Sequence, residues 1–237
     1  MARSLLLCTS ATAESLIRFR LIPLEPLVQG STLETALVVD TFTPMDATKQ
    51  QQRDALRQHI RAKRRSLSNA QLSTAASQLQ PKVLSALHDI NANFPLKRVA
   101  GYLAFQGEID VNPVMDTLRI QGVQTYVPML TGETLKFAAW STNTSYTQNR
   151  FGIIEPKVPE SEWIDANDLD AVLVPLVAFD KLGNRLGMGG GFYDKTFSHR
   201  QSKPAPPWLI GVGHALQQVD DVFEDWWDVK LDQTISA

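Results

Sequence analysis

The stretch AVLVPLVAFDKLGNRLGMGGGFYDKTF, residues 171–197, decides how this chain folds. Its opening AVLVPLVAF (171–179) is apolar throughout, without the alternation of a half-exposed strand, so it reads as a strand buried on both faces. GNRLGMGGGFYDKTF (183–197) follows at once and holds five glycines in fifteen residues. Glycine admits positive φ and lets a ligand approach the main chain, so consecutive amides here can form an anion nest ahead of a helix N-terminus. An ordinary glycine-rich hairpin would have a similar composition. The loop, however, leaves a buried strand, the edge at which open α/β sheets place ligands. It also carries Arg185, a forked phosphate donor, and Asp194, a hard oxygen ligand suited to Mg²⁺. It matches neither the GxxxxGK[ST] phosphate loop nor the GxGxxG dinucleotide fingerprint.

Working outward, strands and helices alternate. RVAGYLAF (98–105) reads as a buried strand, VNPVMDTLRIQG as a helix with Pro113 in its first turn and Gly122 at its end, and VQTYVPML and TLKFAAW as strands. Residues 141–169 are loop-rich. PWLIGVG (207–213) is a further buried strand, with a helix expected around 215–223 and a last strand at QTIS. The pattern predicts an α/β fold with a parallel or mixed sheet covered on both faces.

Upstream, MDATKQQQRDALRQHIRAKRRSLS predicts a helix from Lys49 to Arg65, capped by Asp46 or Thr48. A second helical stretch is capped by Ser68 and expected to break near Pro81. Residues 1–45 lack periodicity and contain Pro23, Pro26 and Pro44. They are expected to be a poorly structured extension, with Met45 as the natural start and residues 46–237 as a single α/β domain.

Composition bounds the remaining classes. The chain has 237 residues, 43% hydrophobic and 20% charged, with a net charge of −2, so no overall charge points to nucleic acid or membrane as partner. Its one cysteine, Cys8, excludes an internal disulfide framework and is compatible with the cytoplasm. No stretch approaches the ~20 apolar residues of a membrane span. MARSLLLC carries Arg3 and a short apolar run before the cysteine, but Leu7 stands where a lipoprotein signal needs a small residue.

The 49–65 helix holds seven basic residues against one acid, Asp54. Arg53, Arg57 and Arg64 fall at about 0°, 40° and 20° on the helical wheel, a narrow stripe beside Leu56 and Ile60. A solvated basic face and a nucleic-acid contact are both open readings, yet no aromatic is interleaved for base stacking. A partly buried arginine stripe needs anions, and a polyphosphate would supply them. Glu108, in FQGEID beyond the 98–105 strand, can accept hydrogen bonds from the N–H groups of a heterocycle. FEDWWDVKLD offers Asp225, Asp228 and Asp232, one of which can join Asp194 around a metal.

With these pieces in place, residues 49–236 resemble the 5-formyltetrahydrofolate cyclo-ligase family, also called methenyltetrahydrofolate synthetase. PLVAFDKLGNRLGMGGGFYD (175–194) carries most of the likeness, supported by LRQHIRAKRRSLS, GEID, GIIEPK (152–157) and DVKLDQTIS. The resemblance implies a three-layer α/β domain with a mixed, mostly parallel sheet, similar to the sugar-phosphate isomerase and CoA-transferase folds. It implies ATP- and Mg²⁺-dependent closure of 5-formyltetrahydrofolate to 5,10-methenyltetrahydrofolate, with release of ADP and phosphate. Carried over by position, ATP contacts fall on Arg53, Arg57 and the run Arg185, Leu186, Gly187, Met188, Gly189, Gly190, Gly191, Phe192 and Tyr193. Folate contacts fall on Leu103, Glu108 and Tyr193, with Tyr193 closing over the pterin, and metal ligands on Asp194 and Asp228. Arg185 and Tyr193 are the expected catalytic residues. The family implies a cytoplasmic monomer that handles small molecules, without nucleic-acid or membrane partners. Competing readings are a phosphate-handling isomerase or CoA-transferase on a related fold, and an RNA-binding accessory protein that uses the 49–65 helix.

Overall fold

The computed structural model describes residues 48–148 and 154–237. The expected extension over 1–45 lies outside the described residues. Helix α1 (Lys49–Arg65) begins at a capping box in which the Thr48 hydroxyl accepts from the Gln51 amide and the Gln51 side chain accepts from the Thr48 amide. Helix α2 (Asn69–Asn91) has the same device at Ser68 and Gln71. It runs through Pro81 without the expected break. Pro81 is exposed, so the carbonyl it orphans meets water, while Leu79 and Val83 on the opposite face are fully buried and hold both halves to the core.

A six-stranded sheet has the order β10-β9-β6-β1-β2-β3. Its strands are β1 (Arg98–Ala100), β2 (Gln124–Thr131), β3 (Thr134–Ala139), β6 (Ala171–Pro175), β9 (Trp208–Gly213) and β10 (Gln233–Ser236). All neighbours are parallel except β3, which returns antiparallel beside β2. Helix α3 (Asn112–Ile120) connects β1 to β2 and ends before Gly122, whose φ of 84° suits glycine. Two small hairpins pair β4 (Tyr146–Gln148) with β5 (Ile154–Pro156), and β7 (Ala178–Phe179) with β8 (Arg185–Leu186).

Alternate residues of each strand enter opposite cores, as a sheet buried on both faces requires. Val99, Leu173, Ile210 and Val212 pack with Leu79, Val83, Met115 and Leu118 of α2 and α3. Ala100, Val172, Val174 and Leu209 pack on the other face with Phe137, Leu169, Phe197, Val229 and Leu231. The second covering layer is thin: the one-turn helix α4 (Phe192–Thr196), short 3₁₀ turns and the C-terminal segment.

Three sequence expectations differ in detail. The 98–105 strand stops at Ala100, and the 171–179 strand splits into β6 and β7. The helix expected over 215–223 is a single 3₁₀ turn, Ala215–Gln217. There the backbone is drawn into tertiary hydrogen bonds instead, with the Val219 amide donating to the Phe179 carbonyl at 2.9 Å.

Candidate active site

From β1 the chain builds β2 and β3 on one side and β6, β9 and β10 on the other. The strand order therefore reverses between β1 and β6, paired through Val99 with Ala171 and Ala100 with Val172. A crevice opens beyond the carboxyl ends of two such strands because their connections run to opposite sides. The loop 101–108 leaves from β1 and the glycine loop from beyond β6. Helix α1 packs against β7 and the 215–217 turn through Ile60, beside Val177, Ala178, Leu186 and Val222.

The α1 arginines turn inward. Arg53 is 7% exposed, and its Nη1 donates to Asp228 Oδ2 at 2.8 Å, Asp225 Oδ2 at 3.1 Å and the Phe223 carbonyl at 3.0 Å. One turn earlier, Lys49 Nζ reaches the Glu224 carbonyl at 2.6 Å and Asp225 Oδ1 at 3.2 Å. One turn later, Arg57 Nε donates to the Gly187 carbonyl at 2.9 Å and its Nη1 to Asp54 at 2.6 Å. Arg64 is 1% exposed and faces Glu108 Oε1 at 3.6 Å. The stripe thus does have anions beside it, but for Arg53, Arg57 and Arg64 they are the protein's own carboxylates. A guanidinium buried without a partner would cost several kcal/mol, of the order of the buried-charge penalty. Lys63 and Arg65 remain exposed.

The glycine loop is anchored at both ends. In the β7–β8 turn, buried Asp180 accepts from the Leu182 and Asn184 amides at 2.8 and 3.0 Å and from Asn184 Nδ2 at 2.8 Å. Arg185 is buried, donates through Nη1 to the Val229 carbonyl and through Nη2 to Asp194 Oδ1 at 2.7 Å, and lies 6.0 Å from the Tyr193 ring centroid. It is a brace in this conformation, not a free arm. The Leu186 side chain is fully buried in the α1 cluster, so it can offer a ligand only backbone. Met188 is 46% exposed on the loop. Gly189, at φ 104°, faces Arg57, and a Cβ at Gly190 would stand 2.5 Å from the Phe192 ring. Gly191, at φ 67°, begins α4. The amides of Gly187–Gly191 have no acceptor among the described residues, leaving them free for an anion.

Asp194 and Asp228 meet through Val229, whose amide donates to Asp194 Oδ1 at 3.1 Å. Each carboxylate engages an arginine through one oxygen, and Asp194 Oδ2 and Asp228 Oδ1 accept nothing from the described residues. Open carboxylate oxygens are the donor type that Mg²⁺ takes, with water and phosphate oxygens completing its shell. No larger cluster of metal-ligating side chains occurs among the described residues.

At the other end of the crevice, Glu108 Oε2 accepts from the Phe105 amide at 3.1 Å. Burial pushes its carboxyl above the usual range, against the opposing pull of Arg64 and the Phe105 N–H. Leu103 is partly buried against the α2–α3 core. Tyr193 packs in the second core beside Phe197, its hydroxyl buried without a partner, so it does not stand open as a flap. Burial, with Glu108 nearby, raises that hydroxyl's pKa far above the ordinary tyrosine value, so it stays an O–H donor.

Sequence reasoning missed Lys49, Asp180, the pairing of Asp225 with Lys49 and Arg53, and the tie from Arg64 to Glu108. A basic helix and an acidic loop do signal pairing, but Lys49 and Arg53 lie more than 170 residues from Asp225 and Asp228, and only the fold selects those partners.

A model of the 5-formyltetrahydrofolate cyclo-ligase family matches residues 49–237. A 5-formyltetrahydrofolate cyclo-ligase of Haemophilus influenzae is 38% identical over 184 residues, 76% of this chain and 95% of that protein. One of Escherichia coli is 32% identical over 180 residues, 75% and 96%. Among solved structures, a 5,10-methenyltetrahydrofolate synthetase from Mycoplasma pneumoniae superposes with a TM-score of 0.60 at 26% identity, covering 77% of this chain and 97% of that one. The synthetase of Aquifex aeolicus gives 0.61 at 27%, covering 78% and 89%.

Proposed function

This chain belongs to the 5-formyltetrahydrofolate cyclo-ligase family, and from that premise we propose how its crevice carries out an ATP-dependent cyclisation. The observation that carries the proposal is that the strand-order reversal puts the glycine loop, with its unengaged amides and Arg57, at one end and the loop bearing the largely buried Glu108 at the other. The first end suits a polyphosphate; the second suits the N–H edge of a pterin.

An N-formyl group is a poor electrophile because its nitrogen donates into the carbonyl. In the proposed reaction the formyl oxygen attacks the terminal phosphorus of ATP and ADP departs. N10 of the same folate then attacks the formyl carbon, loses its proton, and the oxygen leaves with phosphate. Arg57 and the Gly187–Gly191 amides hold the phosphates in line, while Glu108 fixes the pterin so that N10 and the formyl carbon stay within reach. The Tyr193 hydroxyl offers a neutral donor near Glu108, and Arg185 keeps the loop and Asp194 in register. Asp194 and Asp228 would hold Mg²⁺, which when bound spreads the charge of the polyphosphate. No step calls for a protein nucleophile.

The small-molecule ligands are 5-formyltetrahydrofolate and ATP, handled by a cytoplasmic monomer without nucleic-acid or membrane partners. No helix of the described residues is long and apolar enough to cross a membrane. The test is isotopic. With ¹⁸O in the formyl group, the label should appear in the released phosphate, one atom per methenyl product. Label released in water instead would contradict phosphorylation of the formyl oxygen.

A further inference from the structure

Arg64 lies at the C-terminal end of α1, 1% exposed, yet none of its polar partners among the described residues belongs to the glycine loop. Its Nε donates to the Gln106 carbonyl at 3.1 Å, its Nη1 to the Leu176 carbonyl at 3.3 Å, and the same Nη1 faces Glu108 Oε1 at 3.6 Å. The main chains meet as well. Gly107, at φ 78°, passes so close to α1 that a Cβ there would stand 2.8 Å from the Arg64 carbonyl oxygen. Gln106 beside it is also at positive φ, 49°, a conformation seldom adopted by a non-glycine residue. One residue therefore ties the loop 105–108 to α1 and to the end of β6, and offers the only guanidinium within ion-pair distance of Glu108 among the described residues.

We infer that Arg64 is a positioning residue: its guanidinium holds the loop in its strained course and keeps the Glu108 carboxylate charged and aimed at the pterin end of the crevice. The inference rests on the proposed role of Glu108 in folate recognition. A carboxylate this buried tends to take up a proton unless a cation is near. The other groups facing it do not supply one. Tyr102, beyond β1, is spent on the Ile109 carbonyl at 2.8 Å, and Tyr193 of α4 is neutral. His214, after β9, has Nε2 3.0 Å from the Gly107 carbonyl, and burial lowers its pKa. Arg61 is turned to Gln106 Oε1 at 3.2 Å.

Ionised Glu108 accepts through both oxygens, whereas protonation turns one of them into a donor facing the pterin N–H edge, so folate binding weakens as pH falls through its pKa. Removing Arg64 raises that pKa and moves the loss to higher pH. The experiment uses the full chain in wild-type form and as Arg64→Met and Arg64→Lys. Two quantities are followed against pH: the Glu108 side-chain carboxyl resonance in glutamate-labelled protein, assigned with Glu108→Gln, and kcat/KM for 5-formyltetrahydrofolate. Arg64→Met should move both midpoints up by about one pH unit or more. Its KM for folate at neutral pH should rise about tenfold, with kcat changed far less. Arg64→Lys keeps the charge without the fork, and both midpoints should stay close to wild type. An unmoved Glu108 midpoint in Arg64→Met overturns the inference. If Arg64→Met does not fold, Arg64→Lys decides, and a midpoint raised there as far as charge removal predicts is equally fatal. A wild-type protein that binds no folate sinks the functional reading, while the resonance still reports whether Arg64 sets the charge of Glu108.

Discussion

Arg185 Nη2 donates to Asp194 Oδ1 at 2.7 Å, and the pair joins the first strand residue before the glycine loop to the helical turn that ends it. The loop between them is therefore held open as a fixed arch. Arg185 is 5% exposed at its side chain and Asp194 23%, so the contact lies at the inner wall of the crevice. Arg185→Ala strands Asp194 and the Val229 carbonyl. It should destabilise the protein by about 3 kcal/mol, the low end for breaking a buried pair, and lower Tm by about 10 °C. Calorimetry and turnover should fall together. A variant with wild-type Tm would show that Arg185 is a free arm and not a brace.

Arg57 tests the phosphate end separately, because its ion-pair partner Asp54 is exposed and its loss leaves no buried charge behind. Arg57→Ala should raise KM for ATP about tenfold, the worth of one charge-assisted contact, with KM for folate nearly unchanged. Equal effects on both KM values would remove Arg57 from the phosphate site.

Gly189→Ala asks whether the loop's course matters. At φ 104° an alanine is strained by about 1–2 kcal/mol, although the nearest atoms, of Arg57, lie 3.8 Å from its Cβ and leave room. Weaker ATP binding with the fold intact is the expected outcome in a nucleotide titration. Unchanged binding would mean that the loop amides do not meet the phosphates in this geometry.

How much of this was legible in the sequence follows from the range of the forces involved. The α1 caps at Thr48 and the α3 stop at Gly122 are local hydrogen bonds and dihedral preferences, and both stand where the residues indicate. The buried strands declare themselves by uninterrupted apolar runs. Pro81 misled because its cost is local while the burial of Leu79 and Val83 that overrides it is tertiary. The glycine loop is legible as a turn-rich segment after a buried strand, but nothing near Arg185 in sequence shows that its guanidinium is taken by Val229, and nothing near Glu108 points to Arg64.

The metal proposal has its own test. Chelation should abolish turnover and Mg²⁺ restore it, and Asp228→Asn should raise the Mg²⁺ concentration needed for half-maximal rate. Turnover that survives exhaustive chelation would take Asp194 and Asp228 out of metal binding and leave them as partners of Arg185 and Arg53.

Residues 46–237 are proposed to suffice for the reaction. A chain beginning at Met45 should retain the full-length protein's kcat/KM and its Tm within a few degrees. Loss of either would assign residues 1–44 a part in the fold or the site.

The most direct measurement of the central claim is the appearance of the methenyl chromophore when purified protein meets 5-formyltetrahydrofolate, Mg²⁺ and ATP. The account predicts product only when ATP is present, with one ADP formed per methenyl group. Absence of product, or product formed equally well without ATP, would contradict it.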